Sequence, residues 1–195
     1  MRLKVAVQTD PMDSIKIVGD SGFALMLEAQ ARSHDLHFYH PDSMAMEDGV
    51  VTALVYPLTV RDVAGDHFTL GEGRRERLEG FDVVLMRQDP PFDLHYITAT
   101  HFLERIHPRT LVVNDPFQVR NAPEKILVTT FPQLMPATLV TRDFGAIRAF
   151  RKDKGDIVMK PLYGHGGAGV FRIRKDDENF GSFLDTFAAL TREPW

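Results

Sequence analysis

The chain of 195 residues contains no cysteine. This absence excludes disulfide bonds, thiolate nucleophiles and thiolate metal ligands within the chain, and it fits a reducing compartment. Long hydrophobic runs are also lacking, because no apolar stretch nears the roughly 20 residues that a membrane-spanning helix needs. Residues 1–7 have the pattern of a β-strand and not of a signal peptide. We therefore expect a cytoplasmic protein.

An excess of positive charge is absent as well. The 23 lysines and arginines are outnumbered by 27 aspartates and glutamates, which gives a formal net charge of −4. Neither nucleic acid nor an anionic membrane is therefore expected as a partner. Hydrophobic residues make up 44% of the chain, which is enough for one good core or two small ones.

The first 120 or so residues alternate between strand and helix patterns, which predicts an α/β layer with a mainly parallel sheet. Buried strands are predicted at residues 3–8, 36–39, 81–87 and 111–114. Helices are predicted after an N-terminal cap at Asp20-Ser21, at residues 94–106, and briefly after Asp115-Pro116. Residues 50–60 and 68–70 are typical of the two strands of a hairpin.

A second unit begins near residue 122, where residues 121–125 interrupt this pattern. The sequence then predicts a helix at 126–131, a strand at 138–141, a helix at 144–151, a hairpin around Lys160 and a final helix at 179–190. Such a unit holds a sheet of three strands at most, which is small for independent stability.

The hairpin around Lys160 contains the most informative pattern in the chain. An apolar strand ends in this lysine and leads into a turn with four glycines in six positions, Gly164, Gly166, Gly167 and Gly169. Glycines let the backbone take positive φ and present its N–H groups, while the ammonium supplies a charge for phosphate oxygens. No Lys-Ser or Lys-Thr pair follows, so this is not a Walker A loop. An ordinary flexible hairpin is the alternative, but a lysine in a strand that we expect to be buried favours a phosphate cradle.

Further segments form a colinear set over almost the whole chain. They are Asp10-Pro11, Asp20-Ser21, residues 25–30, Leu85-Met86-Arg87-Gln88-Asp89-Pro90-Pro91-Phe92-Asp93, Asn114-Asp115-Pro116, residues 121–125 and residues 160–167. Together they resemble the bacterial glutathione synthetases, a family of ATP-grasp ligases, and the segment around Arg87 is the most specific. The resemblance implies a Rossmann-like, substrate-binding pre-ATP-grasp domain over residues 1–122. It also implies the incomplete first lobe of an ATP-grasp fold over residues 123–195.

The family's chemistry is implied in the same way. Family enzymes join γ-glutamylcysteine to glycine through an acyl phosphate and use ATP with Mg²⁺, for which Mn²⁺ is an expected substitute. The resemblance implies that nucleotide is contacted by Lys125, Lys160, Gly164, Gly166, Gly167 and Ala168. It implies that the peptide substrate is positioned by Arg87 and Asp89, with Asp10 and Ser21 as further candidates. The partners are then small molecules, and family enzymes tend to form homo-oligomers.

Each assignment has a purely structural alternative. Arg87 could form an ion pair with Asp89 or Asp93, and Lys125 could be a solvated residue of a first helical turn. Ser21 could simply cap its helix. The spacing of His34, His37 and His40 does not bring the three imidazoles together, so no metal site is predicted there.

The family's magnesium ligands and phosphoryl-stabilising arginine are expected beyond Trp195. We accordingly expect little or no ligase turnover from these 195 residues alone. Two other functions remain open at this stage: a related ATP-grasp ligase for another acid and amine, and a non-catalytic fragment that binds peptide or nucleotide or pairs with another chain through an exposed strand edge.

Overall fold

A computed structural model describes residues 1–164, 166–190, 192 and 194–195, with only the backbone described at Leu190. The chain divides into two compact units, Met1–Asn121 and Ala122–Trp195. His165, in the glycine-rich segment, lies outside the described residues. No helix in the described part of the chain is both long and apolar enough to cross a membrane.

The first unit is built on one eight-stranded sheet. Its elements are β1 (Lys4–Gln8), α1 (Ser21–Ala31), β2 (Asp35–Tyr39), β3 (Ala45–Glu47), β4 (Val50–Val60), β5 (Phe68–Leu70), β6 (Arg74–Arg77), β7 (Val83–Met86), α2 (Leu94–Glu104), β8 (Leu111–Val113) and α3 (Pro116–Asn121). The strand order is β3-β4-β2-β1-β7-β8, and β5 and β6 also pair with β4. The four strands β2-β1-β7-β8 are mutually parallel, as the α/β prediction requires. All pairings of β4 are antiparallel, so the sheet as a whole is mixed.

The two long helices of this unit cover opposite faces of the parallel strands. Val5 and Val7 of β1 lie in one buried cluster with Phe23 of α1. Ala6, which points to the other face, lies in a second cluster with Leu103 of α2. The chain leaves β1 toward β2 and leaves β7 toward β8, in opposite directions along the sheet. The carboxyl ends of β1 and β7 are therefore the point where the strand order reverses, which is where open α/β sheets bind ligands.

The region between β2 and β7 was predicted only in part. The hairpin of β4 and β5 is confirmed, with Val60 opposite Phe68. The strands β3 and β6 were missed, because β6 has the sequence Arg-Arg-Glu-Arg and carries no apolar alternation. It is held as a strand by pairing with β4 from Val55 to Thr52. Strand β8 is shorter than predicted, and only Val112 of its three residues is buried.

The second unit is a two-stranded antiparallel sheet packed against helices. Its elements are α4 (Glu124–Leu127), α5 (Phe144–Lys154), β9 (Ile157–Met159), β10 (Phe171–Ile173) and α6 (Phe180–Leu190), with 3-10 turns at Val128–Thr130 and Pro132–Leu134. Ile157 and Met159 of β9 and Ile173 of β10 point into a core that Ile147 and Leu184 complete.

Three predictions for the second unit were wrong. Residues 138–141 form no strand; Thr141 alone exchanges two backbone hydrogen bonds of 3.1 Å with Trp195. The helix predicted at 126–131 begins at Glu124 and gives way to a 3-10 turn at Val128. The strand before Lys160 is buried on one face only, because Val158 is 62% exposed, and Lys160 itself is exposed. The sequence argument for a phosphate cradle assumed that Lys160 is buried without a counter-ion. Because Lys160 is exposed, that argument does not hold.

Candidate functional site

The segments that follow β1 and β7 are bound to each other at the switch point of the sheet. The backbone N–H of Arg87 donates to the carbonyl of Gln8 at 2.7 Å, which extends the β1–β7 ladder by one residue. The hydroxyl of Thr9 contacts the Arg87 carbonyl at 3.4 Å. Beyond it, the Asp89 N–H donates to Oδ2 of Asp10 at 2.6 Å. Both segments are thereby held in one arrangement at the ligand-binding edge of the sheet.

The Arg87 side chain reaches across to the start of α1. Its Nη2 donates to Oγ of Ser21 at 2.7 Å. Gly22 lies beside the same side chain, because a Cβ at that position would lie 3.4 Å from Cβ and Nε of Arg87 and 3.1 Å from Oδ1 of Asp20. The Nε atom is buried and has no hydrogen-bond partner in the part of the chain that the structure describes. An unpaired buried donor is costly, so this nitrogen is a polar atom of the site whose hydrogen bond is not made within the described residues.

Ser21 does not cap α1, which removes its structural alternative. The cap is Asp20, whose carboxylate accepts a 2.6 Å hydrogen bond from the N–H of Phe23. Ser21 is the first helical residue, and its hydroxyl faces Arg87 instead.

The ion pair that would make Arg87 structural is also not found among the described residues. Asp93 caps α2 by accepting from the N–H of Tyr96, and Asp89 interacts through its backbone.

The pKa of Tyr96, in the first turn of α2, is influenced by the charged groups at this edge of the sheet. Partial burial raises the pKa of its phenol; Arg87 opposes the shift, and Asp89 and Asp10 add to it. The hydroxyl therefore lies within the field of one cation and two carboxylates. Sequence reasoning missed Tyr96, although its position after the Asp-Pro-Pro-Phe-Asp run was visible.

A buried hydrogen-bond chain lies beneath these groups, and the sequence analysis missed it too. The Tyr39 hydroxyl donates to Oε1 of Gln8 at 2.8 Å, and Nε2 of Gln8 donates to Oε1 of Gln88. All three residues are at most 8% exposed. They lie at or just beyond the carboxyl ends of β2, β1 and β7, which the sequence separates by up to 80 positions.

The glycine-rich turn of the second unit has the backbone freedom that was predicted for it. Gly166, Gly167 and Gly169 have φ values of 58°, 78° and 72°. Gly169 packs so closely on Pro161 that a Cβ would lie 2.9 Å from its Cγ. Positive φ at successive residues turns N–H groups toward one side, which is the arrangement that binds anions.

The two candidate lysines differ in their contacts. Nζ of Lys125, on α4, donates to the carbonyl of Gly164, so this lysine holds the glycine-rich turn and is not merely solvated. Lys160 is exposed and makes no hydrogen bond or ion pair with any residue that the structure describes, so its ammonium is free to meet an anion. The turn residues Gly164, Gly166, Gly167 and Ala168 follow Lys160 within eight positions in sequence.

The described residues include no cluster of possible metal ligands. Across residues 1–164, 166–190, 192 and 194–195, no group of three or more His, Asp or Glu side chains could hold a metal ion. The histidines at 34, 37 and 40 instead make separate contacts with Leu3 N–H, the Asp35 carbonyl and Asp42 N–H.

Among the solved structures that match this chain over its length are ATP-grasp proteins. A RimK domain ATP-grasp protein from Sphaerobacter thermophilus superposes with a TM-score of 0.60 and 19% identity, covering 98% of this chain and 61% of that one. The ATP-grasp ligase PsnB, in complex with a phosphomimetic variant of its minimal precursor, Mg and ADP, gives a TM-score of 0.54 and 15% identity, covering 99% of this chain and 64% of that one. At such low identities the likeness shows the fold alone, and it confirms the predicted fold class.

The sequence comparisons identify the family. Residues 3–120 match the N-terminal domain of prokaryotic glutathione synthetase, and residues 124–195 match its ATP-grasp domain. The chain belongs to the prokaryotic glutathione synthetase family. The glutathione synthetase of Bradyrhizobium diazoefficiens is 64% identical and that of Brucella melitensis 59% identical, each over the whole chain. The chain spans 62% of the length of these relatives.

Proposed function

We propose that this chain is the part of an ATP-dependent carboxylate–amine ligase that binds γ-glutamylcysteine and the nucleotide phosphates. The enzyme then joins the peptide to glycine and makes glutathione. The observation that carries this proposal is the arrangement at the switch point, where a guanidinium with a buried, unpaired donor lies beside two carboxylates. It is supported by the 64% identity to a glutathione synthetase over the whole chain.

The proposed peptide site is in residues 1–122 and offers charges of both signs. γ-Glutamylcysteine carries carboxylates and one ammonium, so it needs donors and acceptors at separate points. Arg87, fixed by Ser21, would donate to a carboxylate through its guanidinium. Asp10 and Asp89 would accept from the ammonium. Because the segments after β1 and β7 are bound to each other, these groups are positioned before the substrate arrives.

The proposed nucleotide site is in residues 123–195. Lys160 would contact phosphate oxygens, and the turn residues Gly164, Gly166, Gly167 and Ala168 would close over them. Lys125 would hold the turn in place through the Gly164 carbonyl. ATP supplies the phosphoryl group that activates the peptide carboxylate, and Mg²⁺ offsets phosphate charge. No Mg²⁺ ligand is assigned to this chain, because the described residues include no group of three or more His, Asp or Glu side chains that could hold a metal ion.

The reaction requires two displacements. A carboxylate oxygen of the peptide attacks the γ-phosphorus, the bond to ADP breaks, and an acyl phosphate forms. The glycine nitrogen then attacks the acyl carbon, phosphate leaves, and the nitrogen gives up a proton. In the first step two anions approach each other, so the residues of this chain serve mainly to align them and to offset their repulsion.

The test uses the complete gene product with ATP, Mg²⁺, γ-glutamylcysteine and glycine, and it measures phosphate release. We expect release only when all components are present, and a hydroxamate when hydroxylamine replaces glycine, since hydroxylamine traps acyl phosphates. The α-linked peptide Glu-Cys is a matched control, because it has the same composition and a different arrangement of charges. Release with another acid and amine, and none with this pair, would assign the protein to a different ATP-grasp ligase.

The cellular setting follows from the same proposal. We propose a cytoplasmic homo-oligomer that binds small molecules and neither nucleic acid nor membrane. Gel filtration of the gene product with light scattering tests the assembly, and a monomeric mass would contradict it.

A further inference from the structure

We propose that the buried chain Tyr39–Gln8–Gln88 makes Gln88 a substrate-binding donor, so that Tyr39 and Gln8 are positioning residues for recognition of the peptide acid. The inference rests on the proposed function and adds three residues to it. None of the three carries a charge, and none contacts the residues already assigned through its side chain.

The direction of the hydrogen bonds follows from Tyr39. Its side chain is completely buried, and burial raises the pKa of the phenol well above its usual value, so the hydroxyl keeps its proton. Oε1 of Gln8 is the acceptor that the described residues offer to that proton. If Tyr39 accepted instead, its own O–H would be buried without a partner, at a cost of about 1–3 kcal/mol. Tyr39 therefore donates, and Gln8 must present its oxygen to it.

The donor role of Tyr39 also determines the donor and acceptor roles of Gln8 and Gln88. With its oxygen facing Tyr39, Gln8 presents Nε2, and Gln88 must receive it with Oε1. The amide nitrogen of Gln88 is left as the end of the chain. It has no hydrogen-bond partner among the described residues. Unlike Nε of Arg87, this nitrogen is not completely buried. An amide whose orientation would otherwise be free is thus fixed as a donor.

The location of this donor determines what it can bind. In sequence, Gln88 follows Arg87 and precedes Asp89, whose N–H donates to Asp10 at the ligand-binding edge of the sheet. We assign the free amide nitrogen of Gln88 to a carboxylate of the peptide acid, to which a neutral amide donor gives direction without charge.

The kinetic test compares three variants of the complete gene product. Tyr39→Phe removes the proton that orients the chain, and Gln88→Glu keeps the shape of the side chain but replaces its donor by an acceptor. Both should raise KM for the peptide by about tenfold or more, as expected for losing a hydrogen bond to a charged group. The KM for ATP and kcat should change by less than about twofold, since the transferred phosphoryl group is not contacted. Tyr56→Phe is the matched control, because no hydrogen bond of the Tyr56 hydroxyl is found among the described residues.

A second measurement on the complete gene product does not depend on activity. In ¹⁵N-edited NMR spectra, one side-chain amide proton of Gln8 should be protected from solvent exchange and both protons of Gln88 should exchange freely. Assignment follows from the signal lost in Gln88→Glu. In Tyr39→Phe the protection of Gln8 should fall. Protected Gln88 protons in the wild-type chain would show the opposite polarity and overturn the proposal.

The two levels of the proposal can fail separately. Wild-type protein that is inactive with γ-glutamylcysteine contradicts the proposed function, while the NMR result still decides the polarity of the chain. Active wild type with unchanged peptide KM in both Tyr39→Phe and Gln88→Glu overturns only the recognition role. A uniform fall in kcat with unchanged KM for the peptide also contradicts it, because that pattern indicates a general structural defect.

Discussion

The backbone N–H of Asp89 donates a 2.6 Å hydrogen bond to Oδ2 of Asp10, which lies 79 positions earlier in the sequence. This bond uses one carboxylate oxygen of Asp10. The other oxygen has no hydrogen-bond partner in the described part of the chain, so the residue can hold the site and still accept from a ligand. Asp10 thus has two roles that substitution can separate.

We predict that Asp10→Asn and Asp10→Ala differ in stability but not in their effect on the peptide. Asparagine keeps an oxygen for the Asp89 N–H, whereas alanine loses it, so only alanine should lower the free energy of unfolding, by about 1 kcal/mol. Both remove the charge that would meet the peptide ammonium, so both should raise the peptide KM severalfold. Urea unfolding and steady-state kinetics measure the two effects. Equal KM in wild type and Asp10→Asn would show that the charge is not used.

Replacing Asp20 and Ser21, which are neighbours at the start of α1, should affect different properties: stability for Asp20 and the peptide KM for Ser21. Asp20→Ala removes the cap on the Phe23 N–H and should cost about 1 kcal/mol of stability. Ser21→Ala leaves the cap intact but releases Arg87, so it should raise the peptide KM with little loss of stability. Circular dichroism during denaturation and substrate kinetics separate the two. A large stability loss in Ser21→Ala would restore a structural role for the serine.

Lys160→Ala should weaken ATP binding by about 1–3 kcal/mol, the range expected for a lysine that meets a phosphate. Folding should not change, because the side chain is exposed and has no partner among the described residues. Calorimetric titration of the complete gene product with ATP provides the measurement. Lys152→Ala is the control, since Lys152 is an exposed lysine of α5. The same affinity in both variants would leave Lys160 without a nucleotide role.

Gly169→Ala should destabilise the second unit by about 1–3 kcal/mol, because the residue has a φ of 72° and its new Cβ would lie 2.9 Å from Cγ of Pro161. The single tryptophan, Trp195, packs in the core of this unit and reports its unfolding by fluorescence. The control Gly181→Ala places a methyl group in open space on α6 and should be neutral or stabilising. Equal unfolding midpoints for the two variants would contradict the close packing on Pro161.

Much of the candidate site followed from sequence because its signals are local. Aspartates before helices, apolar runs of strand length and clustered glycines act within a few residues, so Asp20, the strand before Arg87 and the turn at Gly166 were all recognisable. The strand predicted at residues 138–141 failed for the same reason. Its β-branched residues have strand propensity, but only Thr141 finds a pairing partner, and propensity without a neighbouring strand does not make a sheet.

The amino-acid sequence by itself determined the alternation of strands and helices, the family to which the chain belongs, and the residue types at the ends of β1 and β7. The tertiary structure alone decided which of those side chains meet. Gln8, Tyr39 and Gln88 are ordinary polar residues in sequence, and they form one chain only because three parallel strands end side by side. A hydrogen bond requires only that two atoms lie about 3 Å apart in space, whatever their separation in sequence. A contact between residues 80 positions apart therefore cannot be predicted from the local sequence pattern.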